Sequence, residues 1–535
     1  MIALGLNGFA GADHDASAAL MVDGQVVAAA EEERLNRRRH APGDQPVLAI
    51  QEVLSIAGIN IRDVDIVCHG WRPGALGLGL GESSEAEAIR RTMLAAGIPL
   101  PDKTPVVFTD HHVAHFWSGV AFLPSGVDRA TVDGLVIDGA GESTSGAFFR
   151  LRAGRLEKVW NLGIEGSLGF LYEAATAALR FHPGNEGKTM GLASYGRRET
   201  MSDIPQPPDD RFAGPIPELH DRAEIQALQR RRIIQMGSLI SAGTSFNVRA
   251  DLALGVQTVV ESRIMSYLGE VSDPAPVLVM AGGVALNCSI NATVAEWCGR
   301  HGGTLTIPPP ANDGGIAIGA AISVCPDPAG CTADGAFLGR GYAPEDIMSR
   351  LTAAGAAVRA ISPGEIADGL LERDMLCGWF DGRAEIGPRA LGNRAILARA
   401  DSERVRDRLN VIKGRENWRP LAPSLLADEF TASFTGVPSP YMLVNCTATA
   451  SAMRPLAGVI HVDNTARPQV LDGDDGPFGT LLKEMQRRTG HAAVTCTSFN
   501  PAGQPIVYTP EDAYRAAAAM GLDLLAGDGW CVALR

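Results

Sequence analysis

The sequence is poor in lysine, has no closely paired cysteines and lacks any long apolar run. Only five of its 47 basic residues are lysines, so the positions that keep lysine are candidates for a compact ammonium charge. The nine cysteines are scattered with no C-x-x-C pair, which predicts free and mostly buried thiols. No window reaches the roughly 18 apolar residues of a membrane span, and the N-terminus lacks the basic region of a signal peptide. We therefore expect a cytoplasmic protein without a membrane partner.

Positive charge is also scarce over the chain as a whole. The net charge is −14, which argues against a general nucleic-acid-binding surface. Hydrophobic residues make up 46% of the sequence, a usual proportion for globular domains. At about 150 residues per domain, the length of 535 residues predicts roughly two to four domains.

A pattern of strand, Asp-bearing polar loop and hairpin occurs twice. The first copy starts with the strand IALGLN (2–7) and continues to a hairpin that turns at the Asp-Gly pair 23–24. The second starts with GLVIDGAGES (134–143) and continues to a hairpin that turns at the Ala-Gly pair 153–154. The copies lie about 130 residues apart, which indicates an internal duplication. Two such halves facing a cleft would place both Asp-bearing loops at its floor.

The composition shifts within residues 326–346, and we place a domain boundary within or just after this stretch, near residue 350. The expected domains are 1–350 and 351–535. The second ends in a strand, a Ser/Asn-rich loop, a helix and a strand, which indicates a separate α/β unit. A proline- and charge-rich interval at 197–221 predicts an exposed insertion or lid.

The segment TDHHVAHFWS suggests a metal clamp. If it is helical, His111 and His115 project from one face about one turn apart. Asp138 ends a strand and Asp313 precedes a helix, so both can face the same cleft. Two imidazoles with carboxylate oxygens suit a divalent metal such as Fe(II), Zn(II) or Mn(II). The alternative is that the histidines lie on the surface or in the core, and His112 is left without a role.

Two glycine-rich loops are candidates for binding phosphate or a nucleotide. In AGGVALN, the backbone N–H groups at Gly282 and Gly283, together with Asn287, follow an apolar strand and open a helix. Tight packing explains the glycines equally well. In NEGKTMGL, Lys188 is flanked by glycine and can reach a phosphate, although the spacing is not that of a P-loop.

The strongest signal is a basic cluster in residues 383–419. This stretch holds nine arginines and one lysine against five acids, a local charge of +5 in an acidic chain. Residues 398–409 are explained equally well by a salt-bridged helix. The prolines and glycines around the other arginines fix the backbone, and rigid guanidinium forks bind phosphates bidentately. A compact polyanion such as ATP fits this pattern better than a nucleic acid, which needs a longer basic stripe.

These residues give the sequence its resemblance to the O-carbamoyltransferases of nodulation-factor and antibiotic biosynthesis. The similar stretches run in family order across nearly the whole chain: HDASAAL, HHVAHFWS, GNEGKTMGLASYG, AGGVALN, NDGGIAIGAA, GPRALGNRAIL, KGRENWRPLAP, DNTARPQ and TSFNPAGQPIV. The resemblance implies an α/β protein. Its N-terminal domain is expected to be a duplicated actin/sugar-kinase-like (ASKHA) fold, and its smaller C-terminal domain a YrdC-like α/β fold.

The resemblance also implies the reaction and its cofactors. In the C-terminal domain, carbamoyl phosphate loses phosphate and the resulting carbamate attacks the α-phosphorus of Mg²⁺-bound ATP, giving carbamoyl-AMP and pyrophosphate. In the N-terminal domain, an acceptor hydroxyl attacks the carbamoyl carbon and AMP leaves. The N-terminal domain is expected to hold a divalent metal, for which Fe(II) is the expected ion.

The residues implied by the resemblance fall into three groups. Four match the family's iron ligands: His111, His115, Asp138 and Asp313. Seven are expected to act on ATP and carbamoyl phosphate, with Lys413 and Arg419 placed in catalysis: Arg389, Lys413, Arg415, Arg419, Arg467, Ser498 and Asn500. His14 is expected to be the general base for the acceptor hydroxyl. The alternative is that His14 only hydrogen-bonds its loop, and either Asp13 or Asp15 can orient it.

Several rival functions share part of this pattern. A tRNA-modifying threonylcarbamoyl enzyme would have both folds, but the acidic charge disfavours it. The hydrogenase-maturation carbamoyltransferase would add paired C-x-x-C zinc fingers, and a sugar kinase would not explain the arginine-rich C-terminal region. A non-catalytic nucleotide-binding module is the remaining alternative. The acceptor is expected to be a small natural product with a hydroxyl group, such as a glycoside or a macrolide. Residues 197–221 and the RLNRRRH stretch (34–40) are candidate determinants, and Arg37, Arg38 and Arg39 either contact an anionic acceptor or solvate a loop.

Overall fold

The structure is a computed structural model that describes residues 1–9, 14–72, 81–197, 204–215, 220–241, 243–473 and 476–534. The chain divides into two compact units. Unit 1 consists of Met1–Glu32 and His40–Gly335, and unit 2 of Glu33–Arg39 and Ala336–Arg535. Unit 2 therefore begins at Ala336, inside the stretch where the composition shifts. It also takes seven residues from near the N-terminus, which sequence patterns do not indicate.

Unit 1 is built from two six-stranded sheets and the helices that pack on them. Its strands are β1 (Ile2–Asn7), β2 (Ser17–Val22), β3 (Gln25–Glu31), β4 (Ile66–His69), β5 (Val106–Phe108), β6 (Thr131–Gly141), β7 (Thr144–Arg152), β8 (Arg155–Leu162), β9 (Arg211–Phe212), β10 (Val277–Ala281), β11 (Thr304–Thr306) and β12 (Thr332–Ala333). Its helices are α2 (Val47–Ala57), α3 (Glu82–Ala95), α4 (His111–Ala121), α5 (Leu168–Ala178), α6 (Glu186–Ala193), α7 (Arg222–Gly237), α8 (Phe246–Gly269), α9 (Cys288–Arg300) and α10 (Ile316–Ser323). The short helix α1 (Glu32–Asn36) carries the chain from unit 1 into unit 2.

Five strands of each sheet in unit 1 repeat one topology, and only the edge strands β12 and β9 differ in direction. The first has the order β12-β3-β2-β1-β4-β5 and the second the order β11-β10-β6-β7-β8-β9. In both, a central strand pairs antiparallel with the next strand of a meander on one side and parallel with a crossover strand on the other. The duplication predicted from the sequence is therefore present.

Both predicted hairpin turns form with left-handed residues. The β2–β3 turn has φ of 48° at Asp23 and 84° at Gly24, and the β7–β8 turn has φ of 50° at Ala153 and 77° at Gly154. Two consecutive positive φ values suit the right-handed twist of the strands that the turn joins. The turns fix the register in which each meander pairs.

Helices α4 and α10 pack tightly against each other, and this contact brings the candidate metal ligands together. A Cβ atom on Gly319 of α10 would lie 1.7 Å from the carbonyl oxygen of Ala114 in α4. A Cβ on Gly5 of β1 would lie 1.8 Å from the carbonyl oxygen of Ala317. Only glycine permits this backbone approach, so α10 lies between β1 and α4.

Part of the interval 197–221 is incorporated into a sheet. Strand β9 pairs antiparallel with β8 at the edge of the second sheet. The Asp210 carboxylate accepts a hydrogen bond from Gly166 N at 2.7 Å. Residues 211–212 are thus held at a sheet edge, whereas 206, 208–209 and 213–215 are exposed, as expected for an exposed insertion. Residues 198–203 and 216–219 lie outside the described residues.

Unit 2 has a mixed eight-stranded sheet in the order β13-β23-β22-β14-β15-β21-β16-β20 and a small sheet in the order β17-β18-β19. Its strands are β13 (Val358–Ala360), β14 (Cys377–Phe380), β15 (Arg394–Ala398), β16 (Ala422–Leu426), β17 (Phe434–Thr435), β18 (Cys446–Ala448), β19 (Thr465–Ala466), β20 (Gln469–Leu471), β21 (Ala493–Ser498), β22 (Leu524–Gly527) and β23 (Trp530–Ala533). Its helices are α11 (Pro344–Ala353), α12 (Pro363–Glu372), α13 (Glu403–Ile412), α14 (Ala427–Ser433), α15 (Gly476–Thr489) and α16 (Pro510–Met520). The predicted C-terminal order of strand, loop, helix and strand is confirmed as β21, α16 and β22.

The large sheet of unit 2 is covered on both faces. Successive residues of β14 point to opposite sides, so Trp379 enters one apolar cluster and Phe380 the other. The first cluster includes Leu481 of α15, and the second includes Leu409 of α13. Burial on both faces explains why β14 and β15 carry almost no alternation of polar and apolar residues.

All nine cysteines are free thiols, and all but Cys325 are buried, as the sequence predicts. Among the described helices, none is both long and apolar enough to span a lipid bilayer.

Candidate functional site

The predicted metal ligands converge in unit 1. His115 Nε2 lies 3.1 Å from Asp138 Oδ2 and 3.4 Å from Asp313 Oδ1. His111 Nε2 lies 3.6 Å from Asp138 Oδ2 and 3.7 Å from Asp313 Oδ1. One ligand atom from each of the four residues lies within 4.8 Å of the other three. Both imidazoles are fully buried, and the two carboxylates keep only a small exposed fraction.

Helix α4 places the two histidines because its start is fixed. The Asp110 side chain caps the helix by accepting a hydrogen bond from Val113 N at 3.0 Å. Its other oxygen lies 2.8 Å from Lys158 Nζ on β8. With the start fixed, His111 and His115 occupy the same face one turn apart, as their spacing predicts.

The donor atoms of this cluster are not satisfied by the protein itself. Within the described part of the chain, the Nε2 atoms of His111 and His115 and the Oδ2 atom of Asp138 are buried without a hydrogen bond. A buried polar atom that lacks a partner is costly, so the arrangement requires something to fill it. Two imidazole nitrogens and two carboxylate oxygens converging on one point fit a divalent cation such as Fe(II), Zn(II) or Mn(II).

The electrostatics of the cluster follow from these contacts. Burial alone would lower the pKa of His115, but the facing carboxylates of Asp138 and Asp313 raise it to about 9. Burial would raise the pKa of Asp138, but His111 and His115 hold it well below its usual range. The Asp138 carboxylate is therefore ionised and favours a cation between the four side chains.

A buried aromatic residue orients His111. The Trp71 ring packs on the His111 ring with centroids 3.9 Å apart, and Trp71 Nε1 donates to Asn7 Oδ1 at 2.8 Å. Asn7 Nδ2 in turn donates to the backbone oxygens of Asp15 at 2.9 Å and Asp313 at 3.2 Å. Asn7 thus joins the backbone at Asp15, in the loop of the first repeat, to the backbone of the candidate ligand Asp313.

His112 points away from this ligand set. Its Nδ1 lies 3.1 Å from Thr144 Oγ1, and burial with the neighbouring His111 holds its pKa well below the usual value. A Cβ on Gly141 would come within 2.7 Å of His112 Nε2 and 2.3 Å of His111 Cδ2. His112 therefore acts as a neutral core residue that packs behind the cluster.

His14 belongs to a small network on the loop of the first repeat. Its Nδ1 lies 3.2 Å from Asp15 Oδ2, and His40 Nδ1 lies 2.9 Å from Asp15 Oδ1. Asn312, next to a candidate ligand, donates to Asp15 Oδ2 at 2.9 Å. Partial desolvation opposes protonation of His14, but Asp15 and the carboxylates of the metal cluster raise its pKa to about 10. The His14 side chain is 55% exposed and can meet a solute. Asp13, the other expected partner, lies outside the described residues.

The Gly-Gly turn packs directly against the strand that carries Asp138. Gly282 has φ of 90°, and a Cβ there would lie 2.3 Å from the carbonyl oxygen of Ile137. A Cβ on Gly283 would lie 3.1 Å from Asp138 Oδ1. Asn287 caps α9 and exchanges hydrogen bonds with Gln257. Packing and capping thus account for these residues, and the turn also leaves its backbone beside the metal cluster.

Lys188 lies on α6, where its Nζ is 5.4 Å from the centre of the Phe181 ring. Its side chain is half-buried. This contact orients the ammonium group without removing it from solvent.

The arginines of the basic cluster separate into two sets. Those of 398–409 pair with carboxylates: Arg399 with Asp374 and Asp401, Arg404 with Asp374, Arg406 with Asp407, and Arg408 with Asp523. This half of the cluster is the salt-bridged helix that the sequence allows as an alternative. Arg394 is fully buried, donates to backbone carbonyls and lies over the Phe380 ring, so it is a core residue.

Lys413 is the buried centre of the second set. It follows α13, and Gly414 turns the chain with φ of 58° so that Arg415 N bonds Asn410 O at 2.8 Å. Lys413 Nζ donates to the Asn500 Oδ1 and O atoms, each at 3.1 Å, and to the Ser498 hydroxyl and carbonyl. Burial and the charges of Arg415, Arg419 and Arg39 lower its pKa well below the usual value.

Other guanidinium groups surround this lysine. Burial and then Arg419, Arg467, Arg389 and Arg39 lower the pKa of Arg415 to about 9. Burial also lowers the pKa of Arg419, assisted by Arg467 and Arg39 and opposed by Glu416. We call the six cations Arg39, Arg389, Lys413, Arg415, Arg419 and Arg467 the unit 2 cation cluster. Their mutual repulsion means that the cluster gains most from an anion of high charge.

Ser498 and Asn500 contact this cluster through Lys413. Asn500 directs its amide nitrogen to Gln504 O at 2.6 Å and to Pro501 O at 3.2 Å, while its Oδ1 accepts from the lysine. Thr497 Oγ1 accepts from Arg415 Nη1 at 3.3 Å. The end of β21 and the loop after it therefore hold the side chains of Lys413 and Arg415, which follow α13.

Sequence patterns did not indicate several members of these sites. Trp71 reaches the metal cluster from the segment after β4 and Asn7 from the end of β1, and the pairing of His40 with Asp15 joins residues 25 positions apart. For Arg39, the sequence predicts only a contact with an anionic acceptor substrate or a solvated loop. The run of three arginines at 37–39 is the sequence signal that indicates it.

Comparison with known proteins decides the family. Residues 78–322 match the family model described as Carbamoyltransferase N-terminus, and residues 368–533 match Carbamoyltransferase C-terminus. The chain belongs to the O-carbamoyltransferase family. It is therefore an enzyme of the carbamoyltransferase class, and the resemblance stated from its motifs is confirmed.

Relatives of this family align along most of the chain. Nodulation protein NolNO of Sinorhizobium fredii is 31% identical over 95% of this chain and 77% of its own length. The 3'-hydroxymethylcephem-O-carbamoyltransferase of Amycolatopsis lactamdurans is 26% identical over 97% of both chains. An uncharacterized protein of Synechocystis, sll1178, is 30% identical over 97% of this chain and 95% of its own length.

Among solved structures, full-length HypF in its phosphate- and nucleotide-bound form is similar over 60% of this chain and 54% of its own, with 14% identity and a TM-score of 0.34. A similarity this weak supports no inference about function.

Proposed function

We propose that the protein is an ATP-dependent O-carbamoyltransferase that works in two half-reactions, one in each domain. The C-terminal domain, 351–535, makes carbamoyl-AMP from carbamoyl phosphate and ATP. The N-terminal domain, 1–350, transfers the carbamoyl group to a hydroxyl of a small acceptor. The observation that supports the proposal is the unit 2 cation cluster, in which the ammonium group of buried Lys413 contacts Ser498 and Asn500 and lies near the charges of Arg415 and Arg419.

The first half-reaction needs charge neutralisation more than covalent participation by the protein. Water hydrolyses carbamoyl phosphate to carbamate and inorganic phosphate, a carbamate oxygen then attacks the α-phosphorus of ATP, and pyrophosphate leaves. Both co-substrates bring phosphates whose charge must be neutralised for the attack to occur. In the proposal, Lys413 and Arg419 stabilise the charge that develops in the transition state, and Arg389, Arg415 and Arg467 bind phosphates. Carbamate decomposes in water, so the step requires an enclosed site such as the buried surroundings of Lys413.

The second half-reaction is assigned to the cluster of His111, His115, Asp138 and Asp313. The acceptor hydroxyl attacks the carbamoyl carbon, the bond to AMP breaks, and the hydroxyl proton passes to a base. A divalent cation held by these four side chains would supply Lewis-acid polarisation of the carbamoyl or phosphate oxygen. In the proposal, the backbone at Gly282 and Gly283, with Asn287 and Lys188, receives the adenylate, because the Gly-Gly turn lies beside Asp138.

His14 is the proposed general base for the acceptor hydroxyl. Its side chain is more than half exposed, and Asp15 fixes the orientation of its ring. The neighbouring carboxylates favour the imidazolium form, so His14 must release its own proton before it can accept one. A cation bound by Asp138 and Asp313 would offset the charges of those carboxylates and favour the neutral imidazole.

The proposed acceptor is a small molecule with a hydroxyl group, such as a glycoside or a macrolide. The name of one relative, 3'-hydroxymethylcephem-O-carbamoyltransferase, specifies a hydroxymethyl group on a small molecule. The proposed actin/sugar-kinase-like fold of the N-terminal domain is supported by the repeated strand order of its two sheets. The YrdC-like assignment of the C-terminal domain rests on the motifs alone.

The test of the first half-reaction needs no acceptor. The full chain is mixed with ATP, Mg²⁺ and carbamoyl phosphate, and pyrophosphate and AMP are followed, with Arg419→Ala as the comparison. We expect pyrophosphate release that depends on carbamoyl phosphate and is lost in the variant. Pyrophosphate release that is unaffected by carbamoyl phosphate or by Arg419→Ala would contradict the proposal.

A further inference from the structure

His69 connects the ends of two neighbouring strands from within the core of unit 1. It is the last residue of β4, which pairs parallel with β1, and it is fully buried. Its Nε2 lies 3.3 Å from the backbone nitrogen of Phe9, just beyond the end of β1, and its Nδ1 lies 3.3 Å from the carbonyl oxygen of Trp71. The imidazole therefore bridges the backbone that follows β1 and the backbone that follows β4.

The two partners of this imidazole determine which of its nitrogens carries the proton. A backbone N–H can only donate, so Nε2 of His69 must accept from Phe9 and carry no hydrogen. A carbonyl oxygen can only accept, so Nδ1 must donate to Trp71. Burial lowers the pKa of His69 to about 4, so the ring is neutral at physiological pH. Both contacts agree on one tautomer, with the proton on Nδ1.

A second link connects the same two chain segments beside the metal cluster. Trp71 Nε1 donates to Asn7 Oδ1 at 2.8 Å, and the Trp71 ring packs on the His111 ring with centroids 3.9 Å apart. Trp71 is thus held at its indole nitrogen by Asn7 and at its carbonyl oxygen by His69. Two hydrogen bonds from different parts of one residue restrict both its position and its rotation.

Asn7 extends these contacts to the loop of the first repeat. Its Nδ2 donates to Asp15 O at 2.9 Å, and the Asp15 carboxylate lies 3.2 Å from Nδ1 of His14, the proposed general base. Because Asn7 binds both Trp71 and Asp15, a displacement at the end of β1 would disturb the packing on His111 and the loop of His14 together.

The hydrogen bonds are what an imidazole adds at this position. The His69 ring packs edge-on against Phe9 and Phe108, with centroids 5.9 Å apart in both pairs. An apolar ring would fill the same space without the cost of burying two polar nitrogens. The two backbone contacts therefore distinguish His69 from a residue that only fills the core.

We propose that His69 is a positioning residue of the transfer site and that it acts as a neutral imidazole with its proton on Nδ1. It holds the backbone of Trp71, and so keeps the indole packed on His111, while it fixes the backbone that follows β1. The purpose of this positioning rests on the proposed metal site, whereas the tautomer and the two hydrogen bonds do not.

The test uses three substitutions of His69 in the full chain. His69→Phe keeps a ring and removes both hydrogen bonds. His69→Asn places an amide donor close to the position of Nδ1, and His69→Gln places an amide acceptor close to the position of Nε2. The control is Phe108→Leu, because Phe108 packs on the His69 ring but takes part in neither hydrogen bond.

The first measurement is Zn(II) affinity by chelator competition. We expect His69→Phe to weaken binding by about tenfold, the lower end of the range for groups behind a metal ligand. His69→Asn should recover most of the loss because it retains a donor to Trp71 O, and His69→Gln should recover less. Phe108→Leu should bind as the parent chain does. Equal losses in His69→Phe and Phe108→Leu would overturn the inference.

The second measurement is NMR of the metal-free protein. In histidine-labelled parent chain, the nitrogen chemical shifts of His69, assigned by comparison with His69→Phe, should show a bare Nε2 and a protonated Nδ1 at neutral pH. The indole N–H signal of Trp71, assigned through Trp71→Phe, should move in His69→Phe and stay in place in Phe108→Leu. A proton on Nε2 of His69 would contradict the assigned role.

The two measurements separate the inference from the proposed function. If the parent chain binds no Zn(II), yet His69 has the expected tautomer and its replacement moves the Trp71 signal, the inference stands and the proposed metal site fails. If Zn(II) binds but neither its affinity nor the Trp71 signal depends on His69, the metal site stands and the inference fails.

Discussion

Trp71 holds the ring of His111 by packing, with ring centroids 3.9 Å apart. A metal-binding histidine usually fixes its orientation by donating the other ring N–H to a carboxylate or carbonyl. In the described part of the chain, His111 Nδ1 has no such hydrogen bond. The orientation of one candidate ligand therefore depends on an indole ring, which Asn7 holds in turn.

Replacing Trp71 should weaken metal binding without removing a ligand. For Trp71→Ala we expect a ten- to hundredfold loss of affinity, the range of about 10–100-fold seen when groups behind a metal ligand are changed. Zn(II) affinity measured by chelator competition provides the test. Trp297→Phe, in buried α9, is the control for a general loss of packing. Unchanged affinity in folded Trp71→Ala would contradict the orienting role.

The two half-reactions should be separable by substitution. His115→Gln is expected to lower carbamoyl transfer to an acceptor by at least about a hundredfold, since a Lewis acid contributes several kcal/mol to such a step. Pyrophosphate release from ATP and carbamoyl phosphate should be unchanged, because His115 belongs to unit 1 and the cation cluster to unit 2. The exposed His301 gives the control His301→Gln. Parallel loss of both half-reactions in well-folded His115→Gln would count against the division.

Lys413 should be indispensable for the adenylating step. Lys413→Met keeps the length of the side chain but leaves the acceptors on Ser498 and Asn500 unpaired, which costs about 1–3 kcal/mol of stability per buried group. Pyrophosphate formation should fall by about 10²-fold or more, the usual effect of removing one charge-stabilising group. Lys483→Met removes an exposed lysine and is the matched control. Melting temperatures will show whether lost activity reflects unfolding.

Glu32 should make the stability of unit 1 depend on pH. Burial raises its pKa to about 7, although Leu48 N and Ala49 N donate hydrogen bonds to its carboxylate. Because the folded pKa exceeds the unfolded value of 4.5, the stabilising contribution is complete below about pH 4.5 and is lost as pH rises through 7. The difference is at most about 3.5 kcal/mol, at about 1.4 kcal/mol per pKa unit.

The corresponding variant is Glu32→Gln, whose single amide oxygen accepts one of the two backbone hydrogen bonds and which carries no charge. Its melting temperature should change less than that of the parent chain between pH 5 and pH 8, the range in which the buried carboxyl of Glu32 loses its proton. Glu87→Gln, at an exposed position on α3, is the control. Identical pH profiles for Glu32→Gln and the parent would show that the carboxyl titrates near its ordinary value.

Local patterns predicted the fold well where a short stretch determines the structure. The i,i+4 spacing of His111 and His115 predicted a helix, and Asp110 caps it. The Asp-Gly and Ala-Gly pairs predicted two hairpins, since only residues that tolerate positive φ can occupy those turns. The repeat of these elements then predicted the duplicated sheets.

Tertiary contacts determined what the sequence could not. Arg394 and Arg415 both lie in glycine-bounded motifs, yet one donates to core carbonyls and the other joins the cation cluster. Nothing in the local sequence distinguishes a core arginine from one in the cation cluster, because each role depends on which carbonyls or charges the fold places near the guanidinium. Part of the interval 197–221 joined a sheet edge for the same reason, since strand pairing supplied partners for its backbone.

The contribution of residues 33–39 to unit 2 has a consequence for biosynthesis. Arg37 leaves the ribosome long before Pro505 and Ile506, so the backbone carbonyls that accept its hydrogen bonds do not yet exist when the first sheet of unit 1 can form. Residues 33–39 are flanked in sequence by residues of unit 1 on both sides. They cannot make their contacts in unit 2 until the last part of the chain is translated. A gene fragment that encodes only residues 336–535 would therefore produce unit 2 without residues 33–39.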